Sequence, residues 1–169
     1  FQGEELGQLE SELEFDELTD PPGIRFWPEN KGRDGCRTPM TWESTKQNAG
    51  FSDHYPWLPV KELQKEQSID LQESEPSSVL NFYRTMLNFR REQKDLTVGK
   101  IKFIRNDESL LFFTRGEKKE IACLFNLSKN PLNLQLNGYK EILNSPRQFA
   151  NISNEDISLG GNGFIFLRK

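Results

Sequence analysis

The sequence has little cysteine or histidine and no long apolar run. Its 169 residues include two cysteines, Cys36 and Cys123, and one histidine, His54. Neither a CxxC pair nor a zinc-type Cys/His pattern is therefore present. We predict two free, reduced thiols in a cytoplasmic protein, with no metal and no cofactor. No apolar stretch approaches the roughly 18 residues that a membrane-spanning helix requires, so we expect no membrane partner.

Basic residues are also scarce relative to acidic ones. The chain has 22 Lys and Arg against 26 Asp and Glu, a formal charge of −4, and its mean hydropathy is −0.73. No basic face compensates the acidic total, which excludes a nucleic-acid partner. The 13 Phe, 3 Trp and 3 Tyr still suffice for a core, which argues against full disorder. Because the chain starts at Phe1 without an initiator Met or a signal peptide, we expect it to be part of a longer protein.

Residues 1 to about 75 show neither helical nor strand periodicity. So long an irregular stretch is typical of a functional loop or a linker, and its many aromatic residues favour an ordered loop packed on something larger. Acidic pairs such as Glu4 and Glu5 are too close in sequence to flank a scissile glycosidic bond. We therefore predict that these acids form a solvated face and are not catalytic.

One amphipathic helix is predicted at about residues 76–93. Pro76 suits a first helical position, and Glu75 or Ser74 before it suits a helix start. Apolar side chains then recur near helical spacing. The apolar side comprises Val79, Leu80, Phe82, Tyr83, Met86, Leu87 and, somewhat off the stripe, Phe89.

Residues 98–169 alternate between apolar and polar, which is typical of β-strands. The residues assigned to shared faces are Ile121, Cys123, Phe125 and Leu127; Leu132, Leu134 and Leu136; Ile101 and Phe103; and Phe164 and Phe166. Asn137-Gly138 predicts a hairpin that pairs residues 132–136 with 139–143, and Gly160-Gly161-Asn162-Gly163 predicts another turn. The pattern predicts a small antiparallel β-sandwich of six to eight strands.

The most informative segment is residues 32–40, Gly-Arg-Asp-Gly-Cys-Arg-Thr-Pro-Met. Arg33 and Arg37 stand between glycines and a proline, so they belong to a loop. Their guanidinium groups can bind carboxylates or the vicinal hydroxyls of a sugar, and Asp34 could hold one of them in place. Flat apolar faces for a sugar ring could come from Trp42, Phe51 and Trp57. In the alternative interpretation, both arginines bind neighbouring acids and the aromatic residues form the loop's own core.

Several segments resemble glycoside hydrolase family 13, the α-amylase superfamily. Residues 32–42 (GRDGCRTPMTW) and 48–52 (NAGFS) are similar to signatures of its α-glucosidase and oligo-1,6-glucosidase branch. Residues 1–7, 56–59 and 78–84 continue the match in the same order. The resemblance covers the whole chain, although the last part matches in pattern more than in motif.

The resemblance implies the end of a (β/α)8 barrel followed by a C-terminal β domain. Residues 1–97 are expected to hold the end of barrel strand eight, the long active-site loop and the predicted helix. Residues 98–169 are expected to form the C-terminal antiparallel β-sandwich. The fold class expected for the chain is therefore mainly β.

The implied activity is that of a retaining α-glucosidase, which hydrolyses short α-linked glucosides of the maltose or isomaltose type. Its partner is an oligosaccharide substrate, bound through the parent barrel. By resemblance, Arg33 corresponds to the arginine that binds glucose in the −1 subsite, toward its 4-hydroxyl. Arg37 lies beside it as a second substrate-binding residue or as an anchor of the loop. Glu5 corresponds to the acid that ends strand eight and is expected to be structural.

The family's nucleophilic Asp, acid/base Glu and third Asp lie on earlier barrel strands, and their motifs are missing here. We therefore assign no catalytic residue to this chain, because a retaining glycosidase needs two carboxylates across the scissile bond. Two alternatives remain open. One is a non-catalytic β-sandwich module for carbohydrate binding or protein interaction. The other is an inactive family relative, such as an amino-acid-transporter heavy chain, although the intact Arg33 argues against it.

Overall fold

A computed structural model describes residues 1–117, 120–142 and 144–169. The chain divides into two compact units, Phe1–Arg84 and Thr85–Lys169. The first unit is built from short helices and turns, and the second is dominated by antiparallel strands. The mainly β fold class with a C-terminal β-sandwich is confirmed.

The first unit contains three short α-helices and the first part of a longer one. The short helices are α1 (Pro21–Arg25), α2 (Glu62–Lys65) and α3 (Ile69–Glu73). Single 3-10 turns occur at Glu4–Leu6, Phe15–Glu17, Asp34–Cys36 and Gln47–Gly50. The segment expected to end a barrel strand is thus a 3-10 turn here, bounded by Gly3 and Gly7 in left-handed conformations. The lack of regular periodicity in the sequence corresponds to this run of turns.

The longest helix, α4 (Val79–Glu92), crosses the boundary between the two units. It begins three residues later than predicted, because the hydroxyl of Ser78 accepts a hydrogen bond from the N–H of Asn81 (3.2 Å) and so takes the capping position. Pro76 lies in the turn before the helix. A further short helix, α5 (Lys94–Val98), follows directly and was not predicted.

The predicted apolar side of α4 is only partly buried. Leu80 and Phe89 are 7% and 6% exposed, whereas Val79, Phe82, Tyr83 and Leu87 are exposed. Phe89, which lay off the stripe in sequence, packs on the sheet with its ring centroid 5.0 Å from that of Phe166. Met86, which also belongs to the predicted apolar side, packs against the same cluster as Phe89, so part of that side meets the sheet.

The described residues of the second unit form seven antiparallel strands. These are β1 (Ile101–Asn106), β2 (Leu110–Arg115), β3 (Ile121–Asn126), β4 (Leu132–Gln135), β5 (Lys140–Glu141), β6 (Gln148–Ser153) and β7 (Asp156–Arg168). The order β1-β2-β3-β7 runs through neighbouring pairs, and β7 also pairs with β4, β5 and β6. Strand β7 thus joins two sets of strands, β4 and β6 on one side and β1, β2, β3 and β5 on the other, which are the two layers of the sandwich.

Strand β7 changes partners along its length. Its first part, Asp156–Leu159, pairs with β4 and with most of β6. Its last part, Phe164–Arg168, pairs with β3 and β5, and Phe164 also pairs with Gln148 of β6. The glycine-rich segment between these parts was predicted to be a turn, and that prediction is wrong because the strand continues through it. A Cβ on Gly161 would lie 2.3 Å from the carbonyl oxygen of Lys129, so only glycine fits there.

The hairpin predicted at Asn137-Gly138 is also wrong. The chain does turn there, with Gly138 at φ 77°. However, β4 and β5 each pair with β7 rather than with one another. Leu143, the last residue of the predicted partner strand, lies outside the described residues.

The predicted alternation along β3 and β7 is confirmed. Ala122, Leu124, Ile165 and Leu167 belong to the core between the two layers. The opposite face carries Ile121, Cys123, Phe164 and Phe166, which cluster with Phe89 and Leu96 from α4 and α5. Burial on both faces explains why β3 reads as a nearly continuous apolar run.

Candidate functional site

The two arginines identified in the sequence flank the 3-10 turn Asp34–Cys36 in the first unit. Gly32 precedes them at φ 72°, a left-handed conformation that favours glycine. A Cβ on Gly32 would lie 2.7 Å from Oδ2 of Asp20 and 3.0 Å from the backbone of Gly23. The glycines let the arginine loop approach the segment at residues 20–23 closely.

Asp34 is fully buried and anchors this loop. Its Oδ2 accepts hydrogen bonds from the N–H of Thr19 (2.7 Å), the hydroxyl of Thr19 (3.0 Å) and the N–H of Asp20 (2.7 Å). Its Oδ1 lies 3.4 Å from Nη1 of Arg37. Burial raises the pKa of Asp34, but these hydrogen bonds outweigh it and hold the pKa below its usual value. The aspartate of the motif thus holds Arg37 rather than Arg33.

Asp20 is the carboxylate that connects the two arginines, and the sequence analysis missed it. It is 5% exposed. Its Oδ2 accepts a hydrogen bond from the backbone N–H of Arg33 (2.9 Å) and lies 3.7 Å from Nε of the same residue. Its Oδ1 lies 3.8 Å from Nη1 of Arg37. The prediction that the N-terminal acids form a solvated face is wrong for Asp20.

Arg33 and Arg37 differ in exposure. The side chain of Arg33 is 71% exposed, and that of Arg37 is 30% exposed. Arg37 contacts two buried carboxylates, whereas Arg33 contacts Asp20 from one side and is otherwise open. The side chain of Arg33 therefore points toward solvent, whereas that of Arg37 binds carboxylates within the loop and its neighbouring segment.

The three aromatic residues considered as sugar platforms are not the loop's own core. Trp42, Phe51 and Trp57 are 47%, 49% and 69% exposed. The core of the first unit consists instead of Leu13, Leu18 and Leu58, with Trp27 packed against them. The alternative interpretation is therefore wrong in making these aromatics a core of the loop, since their rings present apolar surface outward. Its other half agrees with the structure, because both arginines lie beside neighbouring acids.

The segment 48–52 is held by its own backbone geometry. Asn48 and Ala49 are both left-handed, at φ 48° and 49°. The side chain of Asn48 donates to the carbonyl oxygens of Ser52 (3.0 Å) and His54 (2.9 Å). The carbonyl of Ala49 accepts from the N–H of Trp42 (2.8 Å). This signature segment thus fixes the backbone beneath Trp42.

Glu5, expected to be structural, bonds within its own turn. Its Oε2 accepts a hydrogen bond from the N–H of Gly3 at 3.0 Å. The carboxylate therefore closes the first turn of the chain.

Both cysteines are free, as predicted. Cys36 is exposed, and its thiol donates a hydrogen bond to the carbonyl oxygen of Arg33 (3.0 Å). Cys123 is 1% exposed in β3, and burial raises the pKa of its thiol to about 12. Among the helices that the structure describes, none is long and apolar enough to cross a membrane.

Beyond this geometry, similarity to a known protein family shows the class to which the chain belongs. Residues 1–99, more than half of the chain, match the family of the alpha amylase catalytic domain, and the chain belongs to this α-amylase family. The resemblance identified in the sequence is thereby confirmed.

The chain is similar to proteins named as glucosidases and to a glucosyl transfer enzyme. It is 48% identical over 129 residues to a probable alpha-glucosidase of Rhizobium meliloti, and the aligned region covers 76% of this chain and 23% of that protein. It is 34% identical over 117 residues to probable oligo-1,6-glucosidase 2 of Bacillus subtilis, with 68% and 21% covered. The crystal structure of an alpha-glucosyl transfer enzyme, XgtA, superposes with a TM-score of 0.87 at 36% identity, covering 99% of this chain and 32% of that one. The chain thus spans between a fifth and a third of the length of these proteins.

Proposed function

We propose that the chain is the C-terminal part of a retaining α-glucosidase that hydrolyses short α-linked glucosides of the maltose or isomaltose type. The observation that carries this proposal is the 48% identity to the probable alpha-glucosidase of Rhizobium meliloti. In this proposal, residues 1–97 complete a (β/α)8 barrel and residues 98–169 form its C-terminal domain, in a cytoplasmic enzyme.

Arg33 and Arg37 have separate roles in this proposal. Arg33 binds the glucose in the −1 subsite, toward its 4-hydroxyl, which is supported by the 71% exposure of its side chain. Arg37 keeps the loop in place, because it bonds to Asp34 and lies beside Asp20. It therefore contributes to substrate binding through the position of the loop.

The experiment uses the full-length protein that contains this chain. It should release p-nitrophenol from p-nitrophenyl α-glucoside and glucose from maltose or isomaltose, and the first sugar product should keep the α configuration by NMR. The 169-residue chain alone is the matched control and should release nothing, since the carboxylate pair belongs to other parts of the barrel. Absence of any turnover by the full-length protein would favour the inactive-relative or non-catalytic-module alternatives.

Glucosyl transfer is a second candidate, and it is favoured by the similarity to an alpha-glucosyl transfer enzyme. A retaining mechanism passes through a glycosyl–enzyme intermediate, which either water or an acceptor hydroxyl can attack. Adding a phenolic or sugar acceptor to the same assay separates the two. A rising ratio of p-nitrophenol to free glucose, with a new glucoside, would identify transfer.

A further inference from the structure

Asp20 occupies a helix-capping position without capping the helix. It directly precedes α1, whose first two residues are Pro21 and Pro22, and it makes no side-chain hydrogen bond to that helix. An N-cap carboxylate normally accepts from the N–H of the second or third helical residue. Proline has no N–H, so the first two positions of α1 offer no donor. The third position, Gly23, has an N–H, but Asp20 does not accept a hydrogen bond from it, and the carboxylate bonds to the arginine loop instead.

The close approach of two glycines brings the carboxylate to that loop. A Cβ on Gly23 would lie 2.4 Å from the carbonyl oxygen of Lys31, and one on Gly32 would lie 2.7 Å from Oδ2 of Asp20. Neither contact admits a larger residue. The backbone of Arg33 is consequently held against Asp20, because its N–H donates a hydrogen bond to Oδ2 of Asp20 (2.9 Å).

The two carboxylates, Asp20 and Asp34, each lie beside an arginine of the loop. Asp34 lies closest to Arg37, at 3.4 Å, and takes its remaining bonds from Thr19 and Asp20. Asp20 is the carboxylate facing Nε of Arg33, at 3.7 Å, while also lying 3.8 Å from Arg37. The side chain of Asp20 is only 5% exposed, whereas that of Arg33 is 71% exposed. The carboxylate therefore holds the guanidinium group of Arg33 from the side that faces the protein.

We propose that Asp20 is the positioning residue for Arg33. It fixes the backbone N–H and the Nε side of this arginine, so that the outer guanidinium nitrogens are directed to sugar hydroxyls, and it does not itself touch substrate. This inference rests on the proposed substrate-binding role of Arg33. Pre-ordering a long side chain reduces the entropy lost when it binds a ligand.

The first test measures the reactivity of Arg33 and requires no activity. Full-length protein is treated with phenylglyoxal, and modification of Arg33 is followed by peptide mass spectrometry. Asp20→Asn keeps an acceptor for the Arg33 N–H but removes the charge, and Asp20→Ser keeps a residue suited to a helix start. In both variants Arg33 should react several-fold faster than in the wild type, at a matched thermal midpoint. Asp16→Asn, which neutralises an exposed acid of the same segment, should leave the rate unchanged.

A second test is a double-mutant cycle on kcat/KM for p-nitrophenyl α-glucoside. If Asp20 acts through Arg33, Asp20→Asn and Arg33→Lys should each lower kcat/KM, by about 10-fold or more, and the double variant should be no worse than Arg33→Lys alone. The proposal would be overturned if the loss of kcat/KM in the double variant equalled the product of the two single losses. It would also be overturned if Asp20→Asn kept the wild-type kcat/KM.

The two tests also separate this inference from the proposed function. A wild-type protein without glucosidase activity would refute the function, while faster modification of Arg33 in the Asp20 variants would still support the contact. Equal modification rates in an active enzyme would refute the positioning role alone. Should Asp20→Asn fail to give a cooperative melting transition, Asp20→Ser supplies both readouts.

Discussion

The side-chain oxygen of Gln72 accepts a hydrogen bond from the backbone N–H of Leu80 at 3.0 Å. Leu80 lies in the first turn of α4, where N–H groups have no partner inside the helix. The amide nitrogen of Gln72 donates in turn to the carbonyl oxygens of Leu6 and Gln67, both at 2.9 Å. One buried amide thus connects the start of the chain, α3 and α4.

We expect Gln72→Leu to lower the free energy of unfolding by about 1–3 kcal/mol, because it leaves a buried N–H and a buried carbonyl without partners. Chemical denaturation of the full-length protein measures this change. Gln2→Leu alters an exposed amide near the same terminus and should have little effect. Equal effects of the two changes would contradict the proposed connection.

The two arginines should separate stability from activity. Arg37→Met should destabilise the protein by about 1–3 kcal/mol, since it leaves the buried Asp34 and Asp20 with one fewer cationic partner. Arg33→Lys should leave the thermal midpoint nearly unchanged but lower kcat/KM on maltose or isomaltose, by roughly 30- to 1000-fold. Thermal melts and steady-state kinetics on the full-length protein test both. A wild-type kcat/KM in Arg33→Lys would show that Arg33 does not bind glucose in the −1 subsite.

Two glycines of the second unit offer a matched comparison. Gly161→Ala should cost about 1–3 kcal/mol, because its Cβ would collide with the backbone carbonyl of Lys129. Gly138→Ala meets no atom within 4 Å and suffers only from its φ of 77°, so it should cost about 1 kcal/mol. Denaturant melts rank the two variants. A larger loss at Gly138 would show that β7 tolerates a side chain at residue 161.

The two thiols should react very differently with a thiol reagent. Cys36 is exposed, whereas Cys123 is buried with a thiol pKa of about 12. Because the thiolate is the reactive form, roughly one Cys123 in 10,000 is ionised at pH 8 even before access is considered. Dithionitrobenzoate should therefore label one thiol in this part of the native protein and two after denaturation. Cys36→Ser should abolish the fast labelling.

The raised pKa of Cys123 also predicts a pH dependence. The folded state keeps this thiol neutral up to about pH 12, whereas an unperturbed thiol ionises near pH 9. The stability from the neutral buried thiol is therefore complete below pH 9 and declines above it, by up to about 1.4 kcal/mol per pH unit. Denaturation curves between pH 8 and 10.5 should show a steeper decline for the wild type than for Cys123→Ala. Parallel curves would contradict burial of the thiol.

The strand pattern was predictable, but the pairing was not. Alternation in sequence separated Ile121 and Cys123 from Ala122 and Leu124, and these pairs do lie on opposite faces of β3. Asn137-Gly138 correctly indicated a reversal of the chain. A turn dipeptide does not indicate whether a strand far along the sequence will pair with the two strands beside the turn. Here β7 pairs with both of them.

The candidate site was predictable where its residues stand together in sequence. Arg33 and Arg37 were recognised from their glycine-rich loop. Asp20 lies thirteen residues earlier, among many acids, and its burial depends on contacts that only the fold creates. The useful signal was an aspartate immediately before two prolines, since the prolines remove the N–H groups of the first two helical positions and leave such a carboxylate fewer partners within its own helix.

Strand β7 has a consequence for biosynthesis. Strands β4, β5 and β6 all pair with it, and β3 uses it as a neighbour, yet it comes last among the seven. Until residues 156–168 have left the ribosome, β4, β5 and β6 lack their strand partner, β3 is paired only with β2, and the core between the layers cannot close. The sandwich is therefore expected to fold only once residue 168 has left the ribosome, and nascent chains stalled before Asp156 should expose their strand edges to chaperones.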